Sequence, residues 1–308
     1  MADDLHAIAD LVADAMDLSG TEISDVLDDA PFIQQMGFVP SSDGTNHKYV
    51  KKTQNPVVGF RAANAGRDFD SSIDSINTDA LKLLDWSWAA DKGVADAWRQ
   101  GGAEAYIARE GIAHIAAAMA TLETQVFNGT DAAGFSGFAD LTTLDGLADS
   151  MVIGAGGSTA LTSVYLVNLS ESSGVVGVFK GDGPSIDVGT TVVQDMLDGS
   201  SKHFPSYYTP ASSWFGLQIG GAMSVSRIAN VDASSNSLTD DLIAQAIEQH
   251  PTGQKPTAIA MNRRSQRQLQ DSRTATTPTG APAPFPEQSF NIPIIVTDAL
   301  GNAETAVT

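Results

Sequence analysis

Few residues in this sequence have the types and spacing that chemistry needs. The five histidines stand at positions 6, 47, 114, 203 and 250, and none belongs to a His-x-x-x-His pair. The chain has no Cys, so thiolate ligands, cysteine nucleophiles and disulfides are all excluded and zinc-type ligation has no footing. His114 lies in a helical pattern, where a lone histidine reads as packed or hydrogen-bonded. The run Gly154-Ala155-Gly156-Gly157-Ser158-Thr159 has neither the lysine of a phosphate-binding loop nor the third glycine of a dinucleotide turn, and reads as a surface loop. Gly134-Phe135-Ser136-Gly137 lacks the spacing that exposes a hydrolase serine. With 37 acidic residues, no carboxylate pair stands out as catalytic. No catalytic residue, cofactor or metal is expected.

The elements around these residues are better defined. Leu5, Ile8 and Val12 fall at helical spacing in an N-terminal stretch whose charged side chains are all acidic through residue 30. Short amphipathic pieces of that kind need a surface to lie on. Pro31–Met36 reads as a brief helix stopped at Gly37, and His47–Lys52 as a basic strand. Pro56–Arg61 is expected to be the return strand, Asn64–Ser75 an exposed tip and Asn77–Leu84 a further strand. A segment this poor in apolar residues cannot bury much of itself. From Trp86 to Phe127 the pattern is helical, broken at Gly101-Gly102, with Ile107, Gly111, Ile115, Ala118, Leu122 and Val126 on one stripe.

β character takes over from Leu161, with Val164–Val167, Val175–Phe179 and one long run from Trp214 to Val231. Thr239 is expected to cap a helix, Thr257–Met261 to form a buried strand, and Asn262 to cap a basic helix. Thr274–Pro286 reads as a loop and Pro293–Thr297 as a last buried strand.

Composition limits the partners. Seventeen Lys and Arg against 37 Asp and Glu leave a formal net charge of −20, the wrong sign for a sequence-reading DNA binder. The arginines from Arg263 to Arg273 therefore read as partners for the acidic excess within an oligomer rather than as a phosphate site. The N-terminus lacks the basic start and apolar run of a signal peptide, and no apolar stretch approaches the roughly 18 to 20 residues that span a bilayer. A soluble, intracellular product is the expectation.

The order of features resembles one family: the major capsid proteins of tailed phages with the Hong Kong 97-type fold, in the gene-product-seven-like branch. The residues that carry the likeness are Pro31-Phe32-Ile33 with Gly37-Phe38, Val57-Val58-Gly59-Phe60-Arg61 with Asn64, and Phe127-Asn128-Gly129-Thr130 with Phe138. They continue with Ser163–Val167, Trp214–Leu217 running on to Arg227–Asn230, Met261-Asn262-Arg263 with Leu269, and Phe290–Leu300 with Glu304. The match runs from about Pro31 to the end, and its specificity lies in order and spacing. Asn291 stands where the family often has Gly at a tight turn, and the covalent cross-link of the fold's type member has no matching Lys and Asn here.

The resemblance implies an α+β chain divided into an N-terminal arm (1–46), an extended β loop (47–84) and a peripheral domain with a long spine helix (85–150). A β-rich segment shared by peripheral and axial domains (151–235) and an axial domain (236–308) complete it. It implies a shell subunit that forms pentamers and hexamers of an icosahedral head around double-stranded DNA bound without sequence specificity. It also implies assembly in the host cytoplasm and contacts with portal, scaffold and decoration proteins. Intersubunit contacts are expected at Lys51, Lys52, Arg61 and Arg67, which would meet acidic surface on a neighbour, and at Leu5, Ile8 and Val12 of the arm. The rival readings are a nanocompartment shell of the same fold and, from another class, a carboxylate-based hydrolase.

Acidic copies repel one another, so association should strengthen as salt rises toward 0.1 M, where the screening length falls to about 10 Å. Light scattering of the purified chain against ionic strength should rise; a flat or falling curve would contradict this.

Overall fold

The computed structural model describes residues 30–99, 101–141, 149–181, 187–221, 223–233, 235–275 and 281–307. The expected arm contacts Leu5, Ile8 and Val12 lie outside the described residues.

The longest element is the helix Gly102–Asn128. Its 27 residues extend about 40 Å at 1.5 Å each. It starts after Gly101, whose φ is 110°, and stops at Gly129, whose φ of 60° forms a left-handed cap with its N–H donating to the Gln125 carbonyl. The second half of this spine helix is the more continuously buried, through Ala118, Leu122, Val126 and Phe127, while in the first half Tyr106 and Gly111 are buried. There it meets the short helix Pro31–Gln35, whose Phe32 ring lies 4.8 Å from Phe127, and Phe138, 5.6 Å from the same ring.

One buried carboxylate joins three segments. Glu123 on the spine is 1% exposed. Its Oε2 accepts the backbone N–H groups of Phe32 at 2.9 Å and Ile33 at 3.1 Å, while the Thr297 hydroxyl donates to Oε1. The two amides belong to the first turn of the Pro31–Gln35 helix, where they have no intrahelical acceptor. The charge thus satisfies donors that would otherwise be orphaned, and they in turn make its burial tolerable.

The axial body is a six-stranded mixed sheet in the order Gln288–Ser289, Ile292–Val296, Ala258–Met261, Thr162–Val167, Val225–Val231, Val152–Gly154. Thr162–Val167 is buried along its whole length. Val164 and Leu166 face a core with Ile228, Ile243, Ile259 and Leu269, beneath the helices Asp240–Glu248 and Arg263–Ala275. Tyr165 and Val167 face the other core with Phe127, Phe138 and Ala260. A strand covered on both faces reads as an unbroken apolar run, which explains Ser-Val-Tyr-Leu-Val.

Three smaller sheets complete the fold. One runs Phe38–Pro40, Val175–Phe179, Ala211–Ile219, Lys82–Asp85, with Asp187–Val188 also on Ala211–Ile219. The Phe38 ring lies so close over Gly177 that any Cβ there would overlap it. A second sheet runs Val192–Leu197, His203–Thr209, Trp88–Asp91. The third is the two-stranded ribbon Asn46–Gln54 with Ile73–Ala80.

The end of the chain is tied to the axial sheet. Arg227 donates to the Ser163 hydroxyl at 2.8 Å and to Glu304 at 3.0 Å, a buried network lying over the Tyr165 ring. The amide side chain of Asn230 bonds both the carbonyl and the N–H of Val307, at 2.8 and 2.9 Å.

Both expected helix caps are present, Thr239 accepting from the Leu242 N–H and Asn262 from the Ser265 N–H. The two-residue turn Phe290-Asn291 forms with φ values of 50° and 63°, Asn291 supplying the left-handed conformation in place of glycine.

Other expectations are corrected. Pro56–Arg61 is not the return strand. Residues 55–72 have no ladder, and the chain returns through Ile73–Ala80, where Lys52 pairs with Asp74 and Tyr49 with Asn77. Proline lacks a donor, and Val57 gives its N–H to the Asp70 carboxylate instead of a strand. The stretch after Trp86 opens as a strand, Trp88–Asp91, before Asp91 caps the helix Lys92–Asp96. Trp214–Val231 is no single strand: Ala211–Ile219 and Val225–Val231 are separated at Gly220-Gly221 and lie in different sheets.

Replacing Glu123 by Ala would leave two buried amides and a hydroxyl without their acceptor, at about 1–3 kcal/mol each before relaxation. The unassembled chain should lose about 3 kcal/mol of unfolding free energy in urea titration; a loss under about 0.5 kcal/mol would show that this carboxylate does not hold the segments together.

Candidate intersubunit surfaces

The ribbon projects from a polar root. His47 Nε2 lies 2.6 Å from Gln218 Oε1, and the Tyr49 hydroxyl donates to the Ile219 carbonyl at 3.3 Å. Asp79, directly opposite His47, has its carboxyl raised above the usual carboxylate range by burial, offset in part by Tyr49, His47 and Lys51. The Tyr49 hydroxyl is likewise raised, again chiefly by burial.

Beyond this root the ribbon carries large apolar side chains in the open. Val50, Val57, Val58, Ile73 and Ile76 are exposed, and Phe60 and Phe69 reach 110% and 103% relative exposure. Two phenylalanines left fully open among the described residues are costly in water, so a covering surface would stabilise them.

The four cations expected to mark this contact are all on the ribbon, but they differ. Lys51 is half-buried at the root beside Asp79, and Lys52 is exposed opposite Asp74. Arg61 and Arg67 hold the tip itself: Arg61 donates to the Ala65 carbonyl at 3.0 Å, and Arg67 to the Val57 carbonyl.

A second open surface lies along the first half of the spine helix. Trp88, Gly111, Ile112, Ile115, Val188 and Tyr207 line a groove of about 670 Å³. Ile115, expected on the buried stripe, is 39% exposed here and Ile112 is 72% exposed. His114 stacks on Trp88 with ring centres 5.7 Å apart, a packed histidine as expected.

The basic helix has its charges matched locally. Arg273 pairs with Asp240 at 2.7 Å, Arg263 with Asp298 at 3.2 Å and Arg267 with Asp271 at 3.7 Å, while Arg264 donates to the Val231 carbonyl. Gly157 and Ala155 give their N–H groups to the carbonyls of Asn230 and Ala229, so these amides do not form a phosphate cradle. Around Gly134, Gln125 reaches over to the Phe135 and Asp131 backbone, which makes that loop a closing turn after the spine. Among the described residues there is no cluster of three metal-ligating side chains and no helix long and apolar enough to cross a membrane.

Among the described residues, open apolar projections and a groove along the long helix leave surface that another copy of the chain could cover. The comparisons agree. The family described as Major capsid protein GP7 matches residues 17–308, and the chain belongs to that family. A solved structure of bacteriophage Epsilon15 is similar with a TM-score of 0.70 at 20% identity, over 100% of this chain and 98% of that one. The bacteriophage JBD30 capsid is similar with a TM-score of 0.55 at 13% identity, over 94% and 97% of the two chains. No curated protein matches the sequence. The fold is therefore the α+β Hong Kong 97 type, and the chain is a phage shell protein, a self-assembling component of the virion.

Sequence reasoning missed the weight of Phe60 and Phe69. The available signal was two aromatics in a polar, ladder-free stretch bounded by Pro56 and Ser75. Changing both to Ser should leave the unfolding free energy of the unassembled chain within about 0.5 kcal/mol, because neither side chain is buried. Particle yield by sedimentation should fall sharply; an unchanged yield would show that these rings contact nothing in the shell.

Proposed function

We propose that this subunit builds a closed icosahedral head from pentamers and hexamers, enclosing double-stranded DNA that it holds without reading sequence. The observation that carries this reading is the ribbon: a two-stranded projection whose apolar side chains have no cover among the described residues. A heterologous contact repeated around a ring supplies that cover once per subunit. Obligate contacts of this type commonly bury more than about 2,000 Å², so the stability of one copy is completed by its neighbours.

The role is structural rather than catalytic. The chain divides into arm (1–46), extended loop (47–84), peripheral part with spine (85–150), shared β segment (151–235) and axial part (236–308). Lys51 and Lys52 meet acidic surface on the adjacent subunit, with Arg61 and Arg67 shaping the tip that reaches it. The arm residues Leu5, Ile8 and Val12 cover apolar surface in the same assembly. The net charge of −20 keeps the inner wall from gripping the genome, as loading and release of DNA require. Assembly takes place in the host cytoplasm with a portal, a scaffold and decoration proteins as partners.

Electron microscopy of the expressed chain, alone and with Lys51→Glu and Lys52→Glu together, tests this. The unmodified chain should give rings and closed particles, and the double variant a folded, soluble monomer. Small oligomers only from the unmodified chain would end the shell reading; normal shells from the variant would end the role of the two lysines.

A further inference from the structure

The sheet that ends at Val192–Leu197 presents an unprotected edge. This strand pairs through all six residues with His203–Thr209 on one side. Among the described residues no strand pairs with its other side. The outward N–H and C=O groups of such an edge are a template for another strand, and proteins usually blunt it with Lys, Pro, a bulge or short length. Val-Val-Gln-Asp-Met-Leu contains neither Lys nor Pro, and its register with the neighbouring strand is unbroken. Val192, Val193 and Leu197 stand instead 47%, 54% and 54% exposed. The one charge in the strand, Asp195, is engaged by His203 of the same hairpin.

We propose, resting on the shell reading above, that this edge pairs antiparallel with the same strand of a second copy, across a two-fold axis at Gln194. Pleat and charge select the register. In an antiparallel ladder the residues whose backbone groups point outward alternate along the strand. A strand meeting its own copy must therefore pair residues of equal parity, and the two-fold axis falls on a residue. An axis at Asp195 would set two carboxylates face to face, which destabilises the pair. An axis at Gln194 sets the two Gln194 side chains opposite each other, Val193 against Asp195 and Val192 against Met196, and keeps the carboxylates apart. Axes nearer either end pair less of the strand.

The occupant is a second copy for two reasons. An icosahedral shell relates identical chains by two-folds, and a strand edge lying on such an axis meets its own copy. In a chain of net charge −20 most self-contacts repel, whereas this strand offers one carboxylate already hydrogen-bonded within its hairpin and apolar side chains around it.

The absence of Cys makes the test direct, since an introduced thiol can join only its own counterpart. Facing residues in such a ladder have Cα atoms about 4.5–5.5 Å apart, within disulfide reach. Assembled particles carrying Gln194→Cys should give a cross-linked dimer on non-reducing gels after mild oxidation. Leu197→Cys, and Ser200→Cys at the hairpin turn, should stay monomeric. Val193→Cys combined with Asp195→Cys should cross-link although neither does alone. If particles form and Gln194→Cys links no better than Ser200→Cys, the pairing is overturned while the shell reading stands. If the unmodified chain forms no particles, the shell reading fails and the pairing with it.

Discussion

A carboxylate withdrawn from water must be met by donors, and at Glu123 the donors come from segments far apart in the chain. The start of the Pro31–Gln35 helix and the end of the closing strand at Thr297 are drawn to one point on the spine. Everything else in the body is arranged around that meeting. The aromatic cluster of Phe32, Phe127 and Phe138 packs beside it, and Tyr165 carries the contact into the axial sheet. The second half of the spine is buried beside it, and the first half, anchored at Tyr106 and Gly111, keeps a more open flank.

The same division explains where the molecule is complete and where it is not. Thr162–Val167 is covered on both faces by two cores that belong wholly to this chain. Arg227, Ser163 and Glu304 then fasten the tail across the sheet in a network whose hydrogen bonds offset the cost of burying a charge pair. Among the described residues, the ribbon, the spine groove and the Val192–Leu197 edge have no comparable cover. Their apolar surface becomes useful only in a repeating assembly, which is how a family of shell proteins would distribute buried area between fold and contact.

Much of this was legible from local signals. The caps at Thr239 and Asn262 and the apolar run Val164–Val167 act over a few residues, and each stands as expected. The failures share one cause. Pro56–Arg61 has strand-like residues, yet pairing depended on what could lie opposite, and Asp74 to Ala80 offered the better ladder. Trp214–Val231 reads as one run because local pattern cannot show that Gly220-Gly221 carries the chain from one sheet to another. Ile115 keeps the spine's periodicity but lies in a groove that the neighbouring strands do not fill, and stays 39% exposed.

The order of amino acids by itself determined that no thiol, metal cluster or nucleophile pattern was available, that like charge would oppose self-contact, and that a long thin helix would precede a β-rich body. These follow from composition and from forces acting within one or two turns. Tertiary structure alone decided that Glu123 would be a buried anchor, that the basic helix would find carboxylates within the chain, and which apolar faces of the described residues would remain uncovered. Burial and pairing are set by partners distant along the chain, and no local pattern records what finally lies opposite.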